Sequence, residues 1–188
     1  MGLRKATAYS KKKVTPNTRI SKKKSKSYVK VVPPQKIVKF TMGKEGAFEK
    51  GKIPYVLTVV TKEKKLQIRD HALEACRQFL NKKLDKETGG VFMLRVVPFP
   101  HHIQRENKML TGAGADRMQT GMQLSYGKSM GKAAILKAGA SIFFVAVQNP
   151  RAVIIARKAL KQSNTKLPCK TRVVYTEIKP VKAKKLAE

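Results

Sequence analysis

The first forty-four residues of this chain contain no carboxylate. Between residues 4 and 30 stand eleven lysines and arginines, and the first acidic side chain is Glu45. Such a run repels itself and has too few apolar side chains to offset the entropy of ordering. Residues 1–32 therefore read as a basic extension, disordered in isolation and ordered on a polyanion. The bias continues through the chain: 42 Lys and Arg face 11 Asp and Glu, a formal net charge of +31. Nucleic-acid phosphates are the densest polyanion on offer, and neutralising them releases condensed counterions. The binding that results is strong, salt-dependent and tolerant of sequence.

Beyond the extension there is enough chain for one domain, residues 33–178, with a basic tail at 179–188. Hydrophobic residues make up 41% of the chain, but there is no Trp, so the core must rest on aliphatic side chains. The longest apolar run lies near residues 142–147, far short of the about eighteen needed to cross a bilayer, and no membrane partner is expected. The basic start lacks an apolar signal region, and Ala6 stands where a myristoylation site requires Ser or Thr. Cys76 and Cys169 are far apart and have no partners at ligand spacing, which argues against a disulfide framework or a metal site and for a reducing, intracellular setting. Cys76 is read as a small core residue.

After Pro33-Pro34, residues 36–40 alternate polar with apolar, as a half-buried strand does. Residues 55–61 read as a second strand, and 91–97 as a third. Between them Ile68, Ala72, Ala75, Cys76, Phe79, Leu80 and Leu84 recur at helical spacing, with Arg69, Asp70, Glu74, Arg77, Asn81 and Lys82 opposite. Asp70 is the expected N-cap and Gly89-Gly90 the stop. Residues 141–147 form a near-continuous apolar strand, followed by Asn149-Pro150, a helix start. Ala152, Ile155, Ala156, Ala159 and Leu160 form that helix's buried stripe. Asn164 is expected to end it in a left-handed conformation, Pro168 prevents its continuation, and residues 171–177 are the return strand. Two strand–helix–strand units imply an α+β layer, with two helices against one mixed sheet.

Residues 98–132 lie between these units, a connection so long, even with a short strand or two inside it, that it is either functional or a disordered surface loop, and its composition argues for function. Glycines at 112, 114, 121, 127 and 131 permit close backbone approach, and Arg105, Lys108, Arg117, Lys128 and Lys132 are interleaved with methionines and His101-His102. Catalytic signatures fail here. Gly112-Ala113-Gly114 has Arg117 where a dinucleotide loop needs its third glycine, and neither Gly127-Lys128 nor Gly131-Lys132 completes a P-loop. The adjacent histidines of an extended segment point to opposite sides, with no carboxylate or Cys nearby to complete a metal site, so contact with RNA or simple packing is the expectation. Glu106 and Asp116 are read as orienting neighbouring arginines, not as general bases. Neither an enzyme nor a cofactor is indicated.

Several long motifs share one resemblance. RENKMLTGAGADRMQTGM at residues 105–122 closely resembles the internal loop of the ribosomal uL-sixteen family, in its archaeal L-ten-e branch. PPQKIVKFTMG, QIRDHALEACRQ, PHHI, SYGKSMGKAA and KLPCKTRVV occur around it in the same order. The likeness covers about residues 33–178. It implies a two-layer α/β-hammerhead-type domain in the large ribosomal subunit of the cytoplasm, at the base of the central protuberance. The implied partners are 23S-type rRNA, the 5S rRNA neighbourhood, A-site and P-site tRNA and neighbouring ribosomal proteins, with roles in tRNA positioning and subunit maturation. No homo-oligomer is expected.

On that reading, rRNA is bound by Arg4, Lys5, Lys11, Lys12, Lys13, Arg19, Lys22, Lys23, Lys24, His101, His102, Lys128 and Lys132. The loop toward tRNA and the peptidyl-transferase centre carries Arg105, Lys108, Met109, Gly112, Gly114, Asp116, Arg117 and Gln119. The chain departs from the family at Lys5-Ala6-Thr7-Ala8-Tyr9, where the archaeal opening has a Pro, a Cys and a further Arg. It departs again at Ser129 and Lys132, where the family tends to have Pro and Thr.

Overall fold

The computed structural model describes residues 5–7, 10, 31–106 and 128–178. Within them the chain is α+β. In order come β1 (Thr41–Gly43), α1 (Glu45–Glu49), β2 (Tyr55–Thr61), β3 (Lys65–Arg69), α2 (Asp70–Thr88), β4 (Phe92–Val96), β5 (His102–Glu106), β6 (Lys128–Lys137), β7 (Ser141–Val147), α3 (Pro150–Ser163) and β8 (Thr171–Glu177). The strands form a five-stranded sheet, β1-β4-β7-β2-β8, and a three-stranded sheet, β3-β6-β5. The one mixed sheet of the expectation is thus replaced by two sheets, and every strand pair described is antiparallel. The reason lies in the crossovers. Helix α3 carries the chain from β7 to β8 on the far side of β2, so these two strands run alike but never pair, and α2 leads from one sheet to the other.

Period-two alternation builds the main core. Leu57 and Val59 of β2, Phe92, Leu94 and Val96 of β4, and Phe143, Val145 and Val147 of β7 face α2 and α3. Leu94 lies opposite Val145, which lies opposite Leu57, so one apolar row crosses three strands. A register shift at Val59/Val60 leaves Ile142 as an extra residue, and Ile142 and Phe143 are both fully buried. With Phe144 and Ala146 covered on the opposite face, this bulge is why β7 reads as a continuous apolar run. Leu73, Cys76, Leu80 and Leu84 of α2 and Ala152, Ala156, Ala159 and Leu160 of α3 complete the layer. The small sheet closes on the same core through Leu66, Ile68, Ala134 and Leu136. On the opposite face of the large sheet, Ile53, Val56, Met93 and Ala146 lie under Ala47 and Phe48 of α1.

Several local expectations change. Residues 36–40 are not a strand: Ile37 packs into the core, while the Lys36 and Val38 amides donate to Asp70 Oδ2 (3.2 Å) and Glu74 Oε2 (3.4 Å). Asp70 and Glu74, expected on the solvent side of α2, are therefore buried. Ile68 belongs to β3, which runs straight into α2, and Arg69, not Asp70, occupies the N-cap position. Asn164 is right-handed, because α3 tightens into a 3₁₀ turn (Asn164–Lys166) before Leu167 becomes extended. Gly89 does end α2 in the left-handed conformation.

Candidate nucleic-acid interface

Among the described residues, the two ends of the long central connection form a β-ribbon. β5 and β6 pair with His102 opposite Ala133, Ile103 opposite Lys132 and Glu106 opposite Lys128. Because Glu106 and Lys128 are register partners, the segment 107–127 leaves and re-enters the fold at one end of this ribbon. A register shift between Gln104 and Arg105 makes Met130 the extra residue, 41% exposed. Such a bulge increases twist and re-aims the strand end.

The small sheet also receives the basic extension at two points. At the free edge of β3 the Ser10 carbonyl accepts from the Gln67 amide (3.2 Å), Ser10 is buried, and Ala6 packs against the core. On β6 the Ser129 hydroxyl donates to the Val31 carbonyl (2.9 Å). This seating uses backbone groups and small side chains, so no cation has to be buried. Lys5 remains exposed.

Of the two histidines, His101 faces solvent, its Nδ1 3.1 Å from the Phe99 carbonyl, whereas His102 is buried in the small sheet. The expectation of contact by both rings narrows to His101, since alternation turns the neighbouring ring inward. Lys132 is half-buried on β6. Arg105 and Lys128 stand near the open end of the ribbon, one on each strand. Arg4, Lys11, Lys12, Lys13, Arg19, Lys22, Lys23, Lys24, Lys108, Met109, Gly112, Gly114, Asp116, Arg117 and Gln119 lie outside the described residues.

Beside the ribbon, Phe40 and Phe99 stack at 5.7 Å with Phe99 57% exposed. Stacked rings open to solvent are a surface on which a base can lie. Sequence reasoning passed over this pair because the two residues are fifty-nine positions apart. Among the described residues no three His, Cys, Asp or Glu side chains come together as a metal site. Burial pushes the Cys76 thiol up to about 12 and the Cys169 thiol up to about 11, so neither is a reactive nucleophile.

Known proteins are similar along nearly the whole length. The family model described as Ribosomal protein L16p/L10e matches residues 15–174. Large ribosomal subunit protein uL16 of Pyrobaculum neutrophilum is 41% identical over 175 residues, 93% of this chain and 92% of that protein. The proteins of that name from Thermofilum pendens (41% identical, 94% and 99% covered) and Saccharolobus islandicus (38%, 84% and 86%) are similar too. With the family model spanning most of the fold and relatives covering both ends of the ribbon, the chain belongs to the ribosomal protein L16p/L10e family.

Proposed function

We propose that this protein is a structural, non-catalytic constituent of the large ribosomal subunit in the cytoplasm, binding rRNA and adjoining ribosomal proteins. Residues 1–32 and 179–188 act as basic arms on the domain 33–178. The observation that carries the reading is the shared footing: the extension at Ser10 and Val31, and the ribbon that holds residues 107–127, all rest on one three-stranded sheet. A rigid sheet in that position keeps two cationic segments in fixed relation while their side chains neutralise phosphates.

In this reading Arg4, Lys5, Lys11, Lys12, Lys13, Arg19, Lys22, Lys23 and Lys24 engage rRNA phosphates at the base of the central protuberance near 5S rRNA. His101, Lys128 and Lys132 extend that contact, with His102 holding the ribbon's geometry. Arg105, Lys108, Arg117 and their neighbours Met109, Gly112, Gly114, Asp116 and Gln119 reach toward A-site and P-site tRNA, supporting tRNA positioning and late subunit maturation.

The test is a strain carrying Lys108→Ala with Arg117→Ala. The expected result is slowed translation or accumulation of immature large particles, with the purified variant melting like the parent. Normal growth and translation would remove the loop from the proposal. Sedimentation tests the coarser statement: the protein stays with mature large subunits through a high-salt wash, whereas a transient assembly factor is released.

A further inference from the structure

Helices α2 and α3 pack over the same sheet face, yet their solvent surfaces differ. In α2, the exposed acids Asp85 and Glu87 stand among Lys82, Lys83 and Lys86, with Lys83 4.0 Å from Glu87. In α3, Arg151, Arg157, Lys158 and Lys161 are all exposed, and the helix has no acid. Indeed no Asp or Glu occurs anywhere from residue 117 to 176.

Arg151, Ile154, Lys158 and Lys161 recur every three or four residues and form one stripe, spanning about 15 Å of helix. Arg157 and Lys161 are like charges one turn apart, a pairing that weakens a helix unless an anion lies across it. A helix face selected only for solubility intersperses both signs. Within this stripe Ile154 is 62% exposed. On the adjoining edge strand β8, Tyr175 is 41% exposed and stacks on Tyr55 at 6.4 Å, which fixes its ring. Its hydroxyl pKa is raised, first by desolvation and then by Glu177 and Tyr55, while Arg157 of α3 pulls it down, so helix and strand form one electrostatic surface.

We propose that the solvent face of α3, with Tyr175 on the β8 edge, is a second RNA-binding surface, separate from the extension and the ribbon. The ligand is the sugar–phosphate backbone of rRNA. The four cations sit on phosphates, and Ile154 and Tyr175 lie against ribose or the face of an unpaired base. The proposal rests on the rRNA-binding reading and adds a contact at the β8 edge of the large sheet, whereas the extension and ribbon belong to the small sheet.

The experiment compares the full chain with two charge-matched variants binding a large-subunit rRNA transcript across a salt series. One variant is Arg157→Gln with Lys158→Gln; the control is Lys82→Gln with Lys86→Gln on α2. All four positions are exposed, and thermal melts check that both variants fold. The expected result is a log–log salt slope shallower by about 1.5 for the α3 variant, with the α2 control unchanged. Equal losses in both variants, or none in either, would overturn the proposal. Unchanged binding to naked rRNA combined with poor incorporation into subunits also overturns it, and assigns the face to an acidic protein neighbour. A flat salt response of the unsubstituted chain is a different failure, because it removes rRNA binding itself before any substitution is made.

Discussion

Glu74 joins α2 to the segment around Val38 at one carboxylate. Its Oε1 accepts from Arg77 Nη2 (2.6 Å) and Gln78 Nε2 (3.0 Å), and its Oε2 from Arg77 Nε (2.7 Å) and the Val38 amide (3.4 Å). The hydrogen bonds from Arg77 hold its pKa below the ordinary carboxylate value, against burial, with help from Gln78 and Val38. A depressed folded pKa contributes stability that is present above the unfolded pKa and is lost as pH falls through the folded one. Glu74→Gln is expected to lower stability by about 1–3 kcal/mol near neutral pH. The deficit should shrink toward acid pH, as the parent carboxylate becomes protonated too. Denaturant melts at neutral and acid pH check this, and an equal deficit at each would show that the charge is irrelevant. Cys76 gives a second expectation. With its thiol buried and pushed up to about 12, iodoacetamide at pH 8 should label the native chain at Cys76 far more slowly than the unfolded chain, and equal rates would contradict the burial.

At the scale of elements, local pattern was enough wherever a strand's own apolar side chains enter the core. The expected strands at 55–61, 141–147 and 171–177 are β2, β7 and β8 with the same bounds. Pattern failed where satisfaction comes from elsewhere in the chain. Residues 36–40 alternate like a strand, but side-chain carboxylates of α2 take two of their amides. β5 has one apolar side chain, Ile103, and derives its order from β6, which pairs in turn with β3. Helix ends show the same limit. Asn149 stands at the N-cap of α3 with extended backbone, but its side chain makes no capping bond. Asn149→Ala should therefore cost less than about 0.5 kcal/mol by thermal melting, below the usual loss for a working cap; a loss of about 1 kcal/mol or more would show that the cap forms. Gly43 points the other way. With φ at +89° and its missing Cβ directed at the Phe92 carbonyl, Gly43→Ala should destabilise the β1–β4 edge by more than about 1 kcal/mol.

For the whole molecule, salt should act in opposite directions on folding and on binding. A charge of +31 repels itself in the free protein, so screening stabilises the compact state, while the same ions compete with phosphates for the cations. Raising NaCl from about 0.05 to 0.5 M should raise the melting temperature of the isolated protein while weakening its hold on rRNA, with a log–log slope of about −7 if ten phosphates are engaged. A melting temperature that falls over this range would mean that attractive ion pairs, not repulsion, dominate the free fold.

The need for a polyanion, the aliphatic core, the α+β class and the family were all readable from the order of residues, because net charge and hydrophobic period survive in one dimension. Where the acids of α2 turn, how the two ends of the central connection form a ribbon, and why the extension and that ribbon share one sheet were not. Those outcomes depend on which donors and acceptors, tens of residues apart, come within about 3 Å of each other, and only the packed chain sets those distances.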